Sequence, residues 1–349
     1  MSKKKGKSAI VLIILAVAVI AGCFIAYEKL NGFDIQEAAY IYIDSDDDAD
    51  SVRQKIVDNG KPKCISMFDA LKMPLKFDST FRTGKYEINN GMSILNLMRN
   101  IRNHNQVPVN LVVPSGLRTN EDIASRLTKN IMLDSATVAS FLNDEGMLQK
   151  YDLDFESVNG FFIPNTYEVW WDMPLDALMD RMAKEKKAFW TSERIAKLDN
   201  LKDYSEIAWT EADVMNLASI VESETANNAE KPAIAGLYIN RMKIGMPLQS
   251  DPTIKFALKD FALRRILNEH LKVNSPYNTY INPGLPPGPI CIPSIASIDA
   301  VLNFQKHDYL YMCAKEDFSG THNFAVTYGE HLKNAAKYTM ALNARKIFK

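Results

Sequence analysis

The chain has 349 residues, of which 47% are hydrophobic and 24% are charged, and its formal net charge is −1. This length and apolar content suffice for a sizeable core divided between two domains. The absence of a strong positive charge argues against nucleic acid as a partner. The four cysteines and five histidines form no Cys-x-x-Cys pair and no zincin or serine-hydrolase motif, so the sequence predicts neither a metal site nor a cofactor.

The first thirty residues are predicted to be a basic tail and a membrane anchor. Lysines at positions 3, 4, 5 and 7 precede an uncharged stretch at residues 8–27. A helix of about twenty residues is about 30 Å long, which matches the hydrocarbon core of a bilayer. Basic residues on its N-terminal side favour a cytoplasmic N-terminus and leave the chain from Glu28 onward outside the membrane. Without those lysines, 37 basic and 42 acidic residues remain, a net charge of −5.

A lipoprotein signal is an alternative for the same segment. Small residues precede Cys23 at the end of an apolar run, as they do at lipidation sites, and Cys23 would then carry the lipid. The apolar run continues through residues 24–27, as a spanning helix requires, and this favours the anchor. Either route tethers the chain to a membrane.

The segment after the anchor is predicted to form a small module with the order strand, helix, helix, strand. Ala39–Ile43 alternates as a strand does, residues 52–57 and 92–101 keep helical spacing, and residues 108–113 form an apolar strand. Further helices are predicted at 119–131, 135–143, 175–190, 257–271 and 330–349, and the segment 204–240 is predicted to carry the catalytic helix and the helix that follows it. A late strand is predicted at 309–314, with loops or short strands elsewhere.

One helix carries the predicted catalytic residue. Thr210 can cap it together with Asp213, and an apolar stripe continues to Val221. Glu222 lies about 80° from the centre of this stripe, at the border of core and cleft, where partial desolvation would raise its pKa and let it donate a proton. The alternative is a surface glutamate at the rim of a core helix. Glu224 is predicted to point to the opposite flank, where it would face solvent or cap a neighbouring element.

Polar, proline-rich motifs follow this helix in a fixed order. They are LASIVESET at 217–225, NR with GMPLQSDPT at 240–253, YNTY at 277–280 and GLPPGPI at 284–290. With shorter matches at 81–86, 160–167 and 309–324, the ordered set resembles the endolytic murein transglycosylases, the MltG/YceG-like family. Two positions depart from the family pattern, since Ser115 replaces a usual glutamate and Asn165 a usual aspartate.

The resemblance implies a reaction on peptidoglycan. The MurNAc–GlcNAc β-1,4 bond would be cleaved within glycan strands without water, leaving a 1,6-anhydro-MurNAc end. Glu222, which matches the position of the family's acid, would protonate the glycosidic oxygen and then accept the proton of the C6 hydroxyl. The enzyme would be a single-pass inner-membrane protein with its catalytic domain on the periplasmic side, ending nascent strands beside penicillin-binding synthases.

The predicted fold class is α+β in three parts. Residues 1–30 form the tail and transmembrane helix, 36–113 a LysM-like module, and 114–349 a larger mixed α/β catalytic domain. The LysM-like assignment rests on the resemblance, because that family carries such a module.

Five polar or aromatic residues in the motif loops are predicted to bind substrate: Gln249, Asp251, Tyr277, Asn278 and Tyr280. Amides pair with hydroxyl and N-acetyl groups, and tyrosine rings stack on sugars. The same residues could equally hold the loops together, and Asp251 could form an Asx turn before Pro252.

Two other functions remain open. Glu222 and Asp251 could together make a muramidase, since glycosidic hydrolysis needs two carboxyl groups ~5 to 9 Å apart. A non-catalytic wall-binding scaffold would keep the anchor and the module but would need no carboxylate at position 222.

Overall fold

A computed structural model of the chain describes residues 13–23, 32–263 and 265–345. Residues 13–23 are helical (α1). The predicted anchor at 8–27 therefore has both of its ends outside the described residues, as does the lysine tail. Within the described ranges, no helix combines the length and the apolar character needed to cross a membrane. The chain divides into two compact units.

The first unit contains the described residues up to Asn110 with two short later segments, Asn130–Met132 and Glu168–Met173. Its elements are β1 (Ala39–Ile43), α2 (Ala49–Gly60), α3 (Ser66–Lys72), α4 (Phe77–Thr80), β2 (Gly84–Ile88) and α5 (Ile94–Arg102). β1 and β2 pair antiparallel, and Tyr86 of β2 is fully buried. Its hydroxyl donates to the carbonyl oxygen of Thr83 at 2.9 Å, so the core also holds the turn that leads into β2.

The predicted strand order is right for β1 and wrong for the strand that closes the module. Residues 108–113 are predicted as the closing strand of the module, but β2 pairs with β1 instead, and its alternate residues Tyr86 and Ile88 face the core. Residues 109–113 form β3 (Val109–Val113), which pairs with β4 (Asn165–Val169). The helix predicted at 92–101 is confirmed as α5.

The second unit contains Leu111–Lys129, Leu133–Tyr167 and the described residues from Pro174 onward. Its first helices are α6 (Asn120–Thr128), α7 (Ser135–Leu142), α8 (Glu145–Leu148), α9 (Leu175–Phe189) and α10 (Ser192–Ser205). They are followed by α11 (Glu211–Glu224), α12 (Lys231–Lys243), α13 (Asp251–Leu258), α14 (Ile295–Leu302), β5 (Tyr311–Ala314), β6 (His322–Ala325) and α15 (Tyr328–Ala344). Three 3-10 turns lie at Gln149–Tyr151, Val158–Gly160 and His270–Lys272. α11, α12 and α14 supply most of one cluster of buried hydrophobic residues in this unit.

The predicted mixture of helices and small sheets is confirmed, but one helix is misplaced. Instead of a helix at 257–271, α13 begins at Asp251 and ends before Lys259, whose φ is 53°. Pro252 lies in its first turn, where a missing N–H costs nothing and a fixed φ suits the helix. The Asp-Pro pair thus begins a helix instead of forming a loop turn, and α10 and α14 also occupy segments predicted as loops.

α11 and the loop at 284–290 position the site. The predicted cap is confirmed, because Thr210 and Asp213 form a capping box at the start of α11. The loop is fastened along this helix: Ser219 accepts a hydrogen bond from the Ile290 amide at 2.9 Å. Gly288 allows the close approach, because a Cβ there would lie 2.0 Å from the carbonyl oxygen of Glu156.

Candidate active site

The carboxylate of Glu222 is fully engaged by donors from three other segments. Its Oε2 accepts from Lys231 Nζ at 2.8 Å and from the hydroxyls of Ser294 and Ser297 at 2.5 Å each. Its Oε1 accepts from the Ser115 hydroxyl at 3.0 Å. The Lys231 side chain is only 4% exposed and that of Glu222 17%. Glu222 therefore ties α11 to α12 and to the N-terminal end of α14.

The prediction of a raised pKa at Glu222 is wrong. Burial alone would raise it, but the hydrogen bonds from Lys231, Ser294 and Ser297 outweigh burial and lower the pKa of Glu222 to about 2. The side chain is thus a carboxylate at neutral pH and has no proton to donate.

Glu224, the last residue of α11, has the opposite environment. Its Oε1 accepts from the Tyr238 hydroxyl and from the Ser250 hydroxyl, each at 2.6 Å. Burial raises the pKa of Glu224, and the negative charge of Asp251 raises it further, against these two hydrogen bonds. Oε2 has no hydrogen bond to any residue that the structure describes. A carboxyl group with a raised pKa, with one oxygen held by hydrogen bonds and the other without a partner among the described residues, is suited to give a proton to a bound molecule.

Local structure explains this difference between two glutamates on one helix. Glu224 ends α11, where the negative end of the helix dipole disfavours a carboxylate. Ser250 precedes α13 but makes no side-chain cap, so its hydroxyl is available to Glu224. The opposite-flank prediction for Glu224 is right, whereas the prediction that it faces solvent or caps a neighbour is wrong, because the half-buried side chain lines a pocket and accepts hydrogen bonds from the hydroxyls of Tyr238 and Ser250.

Glu224 lies in a polar pocket of about 230 Å³. Its other lining residues include Tyr238, Arg241, Gln249, Asp251, Tyr280 and His322. Tyr280 donates to Asp251 Oδ1 at 2.6 Å, and Arg241 donates to the carbonyl oxygens of Leu310 and Leu248 at 2.6 and 2.7 Å. The wall is therefore fixed before any substrate arrives. In the described part of the chain, no group of three or more His, Cys, Asp or Glu side chains could hold a metal ion.

Three of the five predicted substrate-binding residues line this pocket: Gln249, Asp251 and Tyr280. Asn278 is fully buried and donates to the carbonyl oxygens of Leu271 and Val273 at 2.9 and 2.8 Å. Tyr277 packs on Phe256 with ring centroids 4.7 Å apart. These two residues lie outside the pocket lining and stabilise loops, which is the alternative that the sequence left open.

The pocket does not favour the alternative that pairs Asp251 with Glu222. Asp251 lines the pocket of Glu224, and Glu222 is absent from the residues that line it. The second carboxyl group near Asp251 is therefore that of Glu224.

Sequence reasoning missed the partners that separate the two glutamates. Tyr238 lies in a helix that reads as apolar core, and Lys231, Ser294 and Ser297 carry no motif of their own. Helix geometry does separate the two glutamates, because side chains two residues apart on a helix point about 200° away from each other. Only one of Glu222 and Glu224 can therefore face the loop that carries Asp251.

The chain matches a known protein family over most of its length. The model of the YceG-like family matches residues 41–337, which include both glutamates and every pocket residue named above. The chain belongs to the YceG-like family. The family resemblance found in the sequence motifs is thereby confirmed.

Individual relatives of this YceG-like protein carry a named activity. An endolytic murein transglycosylase of Bacillus subtilis is 28% identical over 286 residues, which are 76% of each chain. One of Streptococcus pneumoniae is 28% identical over 292 residues, 74% of this chain but only 50% of the relative. This chain thus spans half the length of the pneumococcal relative. A crystal structure of a YceG-like protein from Listeria monocytogenes aligns with a TM-score of 0.53 and 26% identity, covering 86% of this chain and 99% of that one.

Proposed function

We propose that this YceG-like protein is an endolytic murein transglycosylase whose acid is Glu224. The observation that carries the proposal is a carboxyl group with a raised pKa, and one free oxygen, in a rigid polar pocket. The relatives from Bacillus subtilis and Streptococcus pneumoniae that bear this name support the reaction class.

The first step is proton donation. The proton on Glu224 Oε2 passes to the glycosidic oxygen between MurNAc and GlcNAc, and the bond from C1 of MurNAc to that oxygen breaks. The leaving sugar departs as an alcohol, and positive charge develops at C1. Hydrogen bonds from Tyr238 and Ser250 hold the carboxylate that Glu224 has become.

The second step returns the proton. Glu224 accepts the hydrogen of the MurNAc C6 hydroxyl as that oxygen forms a bond to C1. The product is a 1,6-anhydro-MurNAc end, no water is consumed, and the acid is regenerated. One carboxyl group therefore serves both steps, provided that water is kept from C1.

The pocket wall supplies groups for positioning a sugar. Gln249 offers an amide, and the Tyr280 ring offers a face on which a sugar can stack. Arg241 is held by backbone carbonyl groups, and its positive charge lies near Glu224. That charge favours the transient carboxylate.

A muramidase is the second candidate, because Asp251 places another carboxyl group in the same pocket. As base or nucleophile, Asp251 would admit water and yield a reducing end. Its hydrogen bond from Tyr280 would hold it in place for that role.

Mass spectrometry of digested sacculi distinguishes the two reactions. We expect new glycan ends lighter by one water molecule than the corresponding reducing ends. Products that have gained water would replace the transglycosylase with the muramidase. The absence of new ends, from a folded protein, would contradict both and leave the scaffold alternative.

We also propose that the protein is a single-pass inner-membrane protein with a LysM-like module at residues 36–113 and the catalytic unit on the periplasmic side. The lysine tail and the uncharged run at 8–27 support the anchor. The order β1, α2, α3, α4, β2 of the first unit, in which α4 is a single turn of four residues, supports the module. Proximity to penicillin-binding synthases follows from the family resemblance alone. The full chain should sediment with membranes and a chain lacking residues 1–30 should not; sedimentation of both would contradict the anchor.

A further inference from the structure

A second pocket lies in the catalytic unit, at the other end of α13 from Asp251. Its volume is about 390 Å³. Its lining residues include Arg118, Phe155, Asn159, Phe256, Lys259 and Phe261, and we call it the Arg118 pocket. Asp251 and Lys259 are separated by about 12 Å along the helix. The proton-transfer steps at Glu224 use none of these residues, so the pocket requires its own explanation.

The floor of the Arg118 pocket is aromatic and held in place. Phe256 packs against Tyr277 on one side and Phe261 on the other, with ring centroids 4.7 and 6.3 Å away. Phe155 is 50% exposed. Exposed ring surface in a concave site favours a ligand with apolar or flat groups.

Two cationic side chains flank this floor. The guanidinium of Arg118 lies 5.3 Å over the Phe261 ring. Neither Arg118 nor Lys259 uses its side chain in a hydrogen bond or ion pair with any residue inside the described ranges. Glu121 contributes a single carboxylate to the same lining, so positive charge is in excess. An arginine side chain is suited to bind a carboxylate in a bidentate manner.

The Arg118 pocket is also lined by a residue with a buried hydrogen-bond acceptor, Asn159. Asn159 is 7% exposed, and its Nδ2 donates to the carbonyl oxygen of Pro289 at 3.0 Å. Its Oδ1 is buried and has no partner in the part of the chain that the structure describes. Buried acceptors are nearly always paired, so Oδ1 is available to accept from a ligand N–H or O–H or from a water molecule.

We propose that the Arg118 pocket binds the acidic peptide that branches from the muramic acid residues of murein. This inference rests on the proposed function. Such a peptide combines the three required groups: carboxylates for Arg118 and Lys259, a backbone N–H for Asn159, and aliphatic side chains for the phenylalanine floor. A glycan stripped of peptides offers only the carboxylate of its lactyl groups, next to the sugar, and no chain of amides.

The test compares two substrates that differ only in their peptides. Glycan strands with intact peptides and the same strands after amidase treatment are digested by the wild type, Arg118→Ala and Lys259→Ala. The wild type should prefer the peptide-bearing strands. Each variant should lower that preference about tenfold through KM, as expected for the loss of one charge-assisted contact. Lys255→Ala, which removes a charge from α13 outside the pocket lining, should keep the preference.

A binding measurement separates this inference from the proposed function. A synthetic acidic stem peptide, titrated calorimetrically, should bind the wild type and lose about tenfold in affinity to Arg118→Ala. If the peptide binds in this way but neither glycan is cleaved, the pocket assignment stands and the transglycosylase proposal fails. An equal loss on both glycans, or a wild type that neither prefers peptide-bearing strands nor binds the peptide, would overturn the pocket assignment.

Discussion

Replacing Glu224 by glutamine should lower the rate of murein cleavage by about a thousandfold or more, within the range that positioned acid–base catalysis contributes. Glutamine keeps the size of the side chain and can still accept hydrogen bonds from Tyr238 and Ser250. It has no acidic proton to give to the glycosidic oxygen and cannot take one from the C6 hydroxyl. The release of soluble fragments from isolated sacculi, with kcat determined separately from KM, measures the loss.

Glu222→Gln is the matched control for this prediction. It makes the same chemical change two residues away, on a carboxylate that is held by Lys231, Ser294 and Ser297 outside the pocket lining. We expect a loss of about tenfold or less, because the change weakens a structural tie without removing the acid. If Glu222→Gln is inactive and Glu224→Gln retains the native rate, the acid is Glu222 and the assignment is reversed.

Lys231→Met should lower the free energy of unfolding by about 3 to 5 kcal/mol, the usual cost of removing one partner from a buried ion pair. The Lys231 side chain is 4% exposed and donates to Glu222 Oε2 at 2.8 Å and to Ser294 Oγ at 3.2 Å. Its loss leaves a largely buried carboxylate that only hydroxyls can stabilise. Urea-induced unfolding measures the change.

The stability difference between wild type and Lys231→Met should depend on pH. The pKa of Glu222 in the folded protein is about 2, below its ordinary value of 4.5. The stabilisation from its ionised form is therefore present above about pH 4.5 and is lost as the pH falls through about 2. The difference in free energy of unfolding between wild type and Lys231→Met should therefore decrease as the pH is lowered from about 4.5 to about 2. Lys243→Met is the control on the same helix; its ion pair with Glu206 is exposed, so its cost should stay below about 1 kcal/mol at every pH. Equal costs for the two variants would contradict the role given to Lys231.

Local sequence patterns predicted the elements whose causes are local. β1 follows from strict alternation, and α11 follows from a capping box and an apolar stripe. The prediction of the closing strand is wrong because residues 108–113 form an apolar run, whereas the mixed sequence of residues 84–88 becomes the partner of β1 through the burial of Tyr86 and Ile88. α13 was misplaced because an Asp-Pro pair suits both a turn and the first turn of a helix.

Local sequence patterns also predicted only part of the candidate active site. The sequence motifs predicted Gln249, Asp251 and Tyr280 as site residues, and all three line one pocket in the structure. The choice between Glu222 and Glu224 depended on which donors surround each carboxyl, and those donors come from segments up to 107 residues away. Helical periodicity gives the direction of a side chain. It does not reveal which groups from distant segments surround that side chain, here a lysine and three serine hydroxyls around Glu222. A position at the border of the core therefore predicts desolvation and a raised pKa, whereas the donors from Lys231, Ser294 and Ser297 lower the pKa of Glu222.

Titration of the two side-chain carboxyl groups by isotope-edited NMR tests the central claim most directly. With Glu222→Gln and Glu224→Gln providing the resonance assignments, we expect the Glu224 carboxyl to titrate above the ordinary glutamate pKa of 4.5 and the Glu222 carboxyl to titrate near 2. A Glu224 carboxyl that loses its proton at lower pH than Glu222 would contradict the assignment of Glu224 as the proton donor.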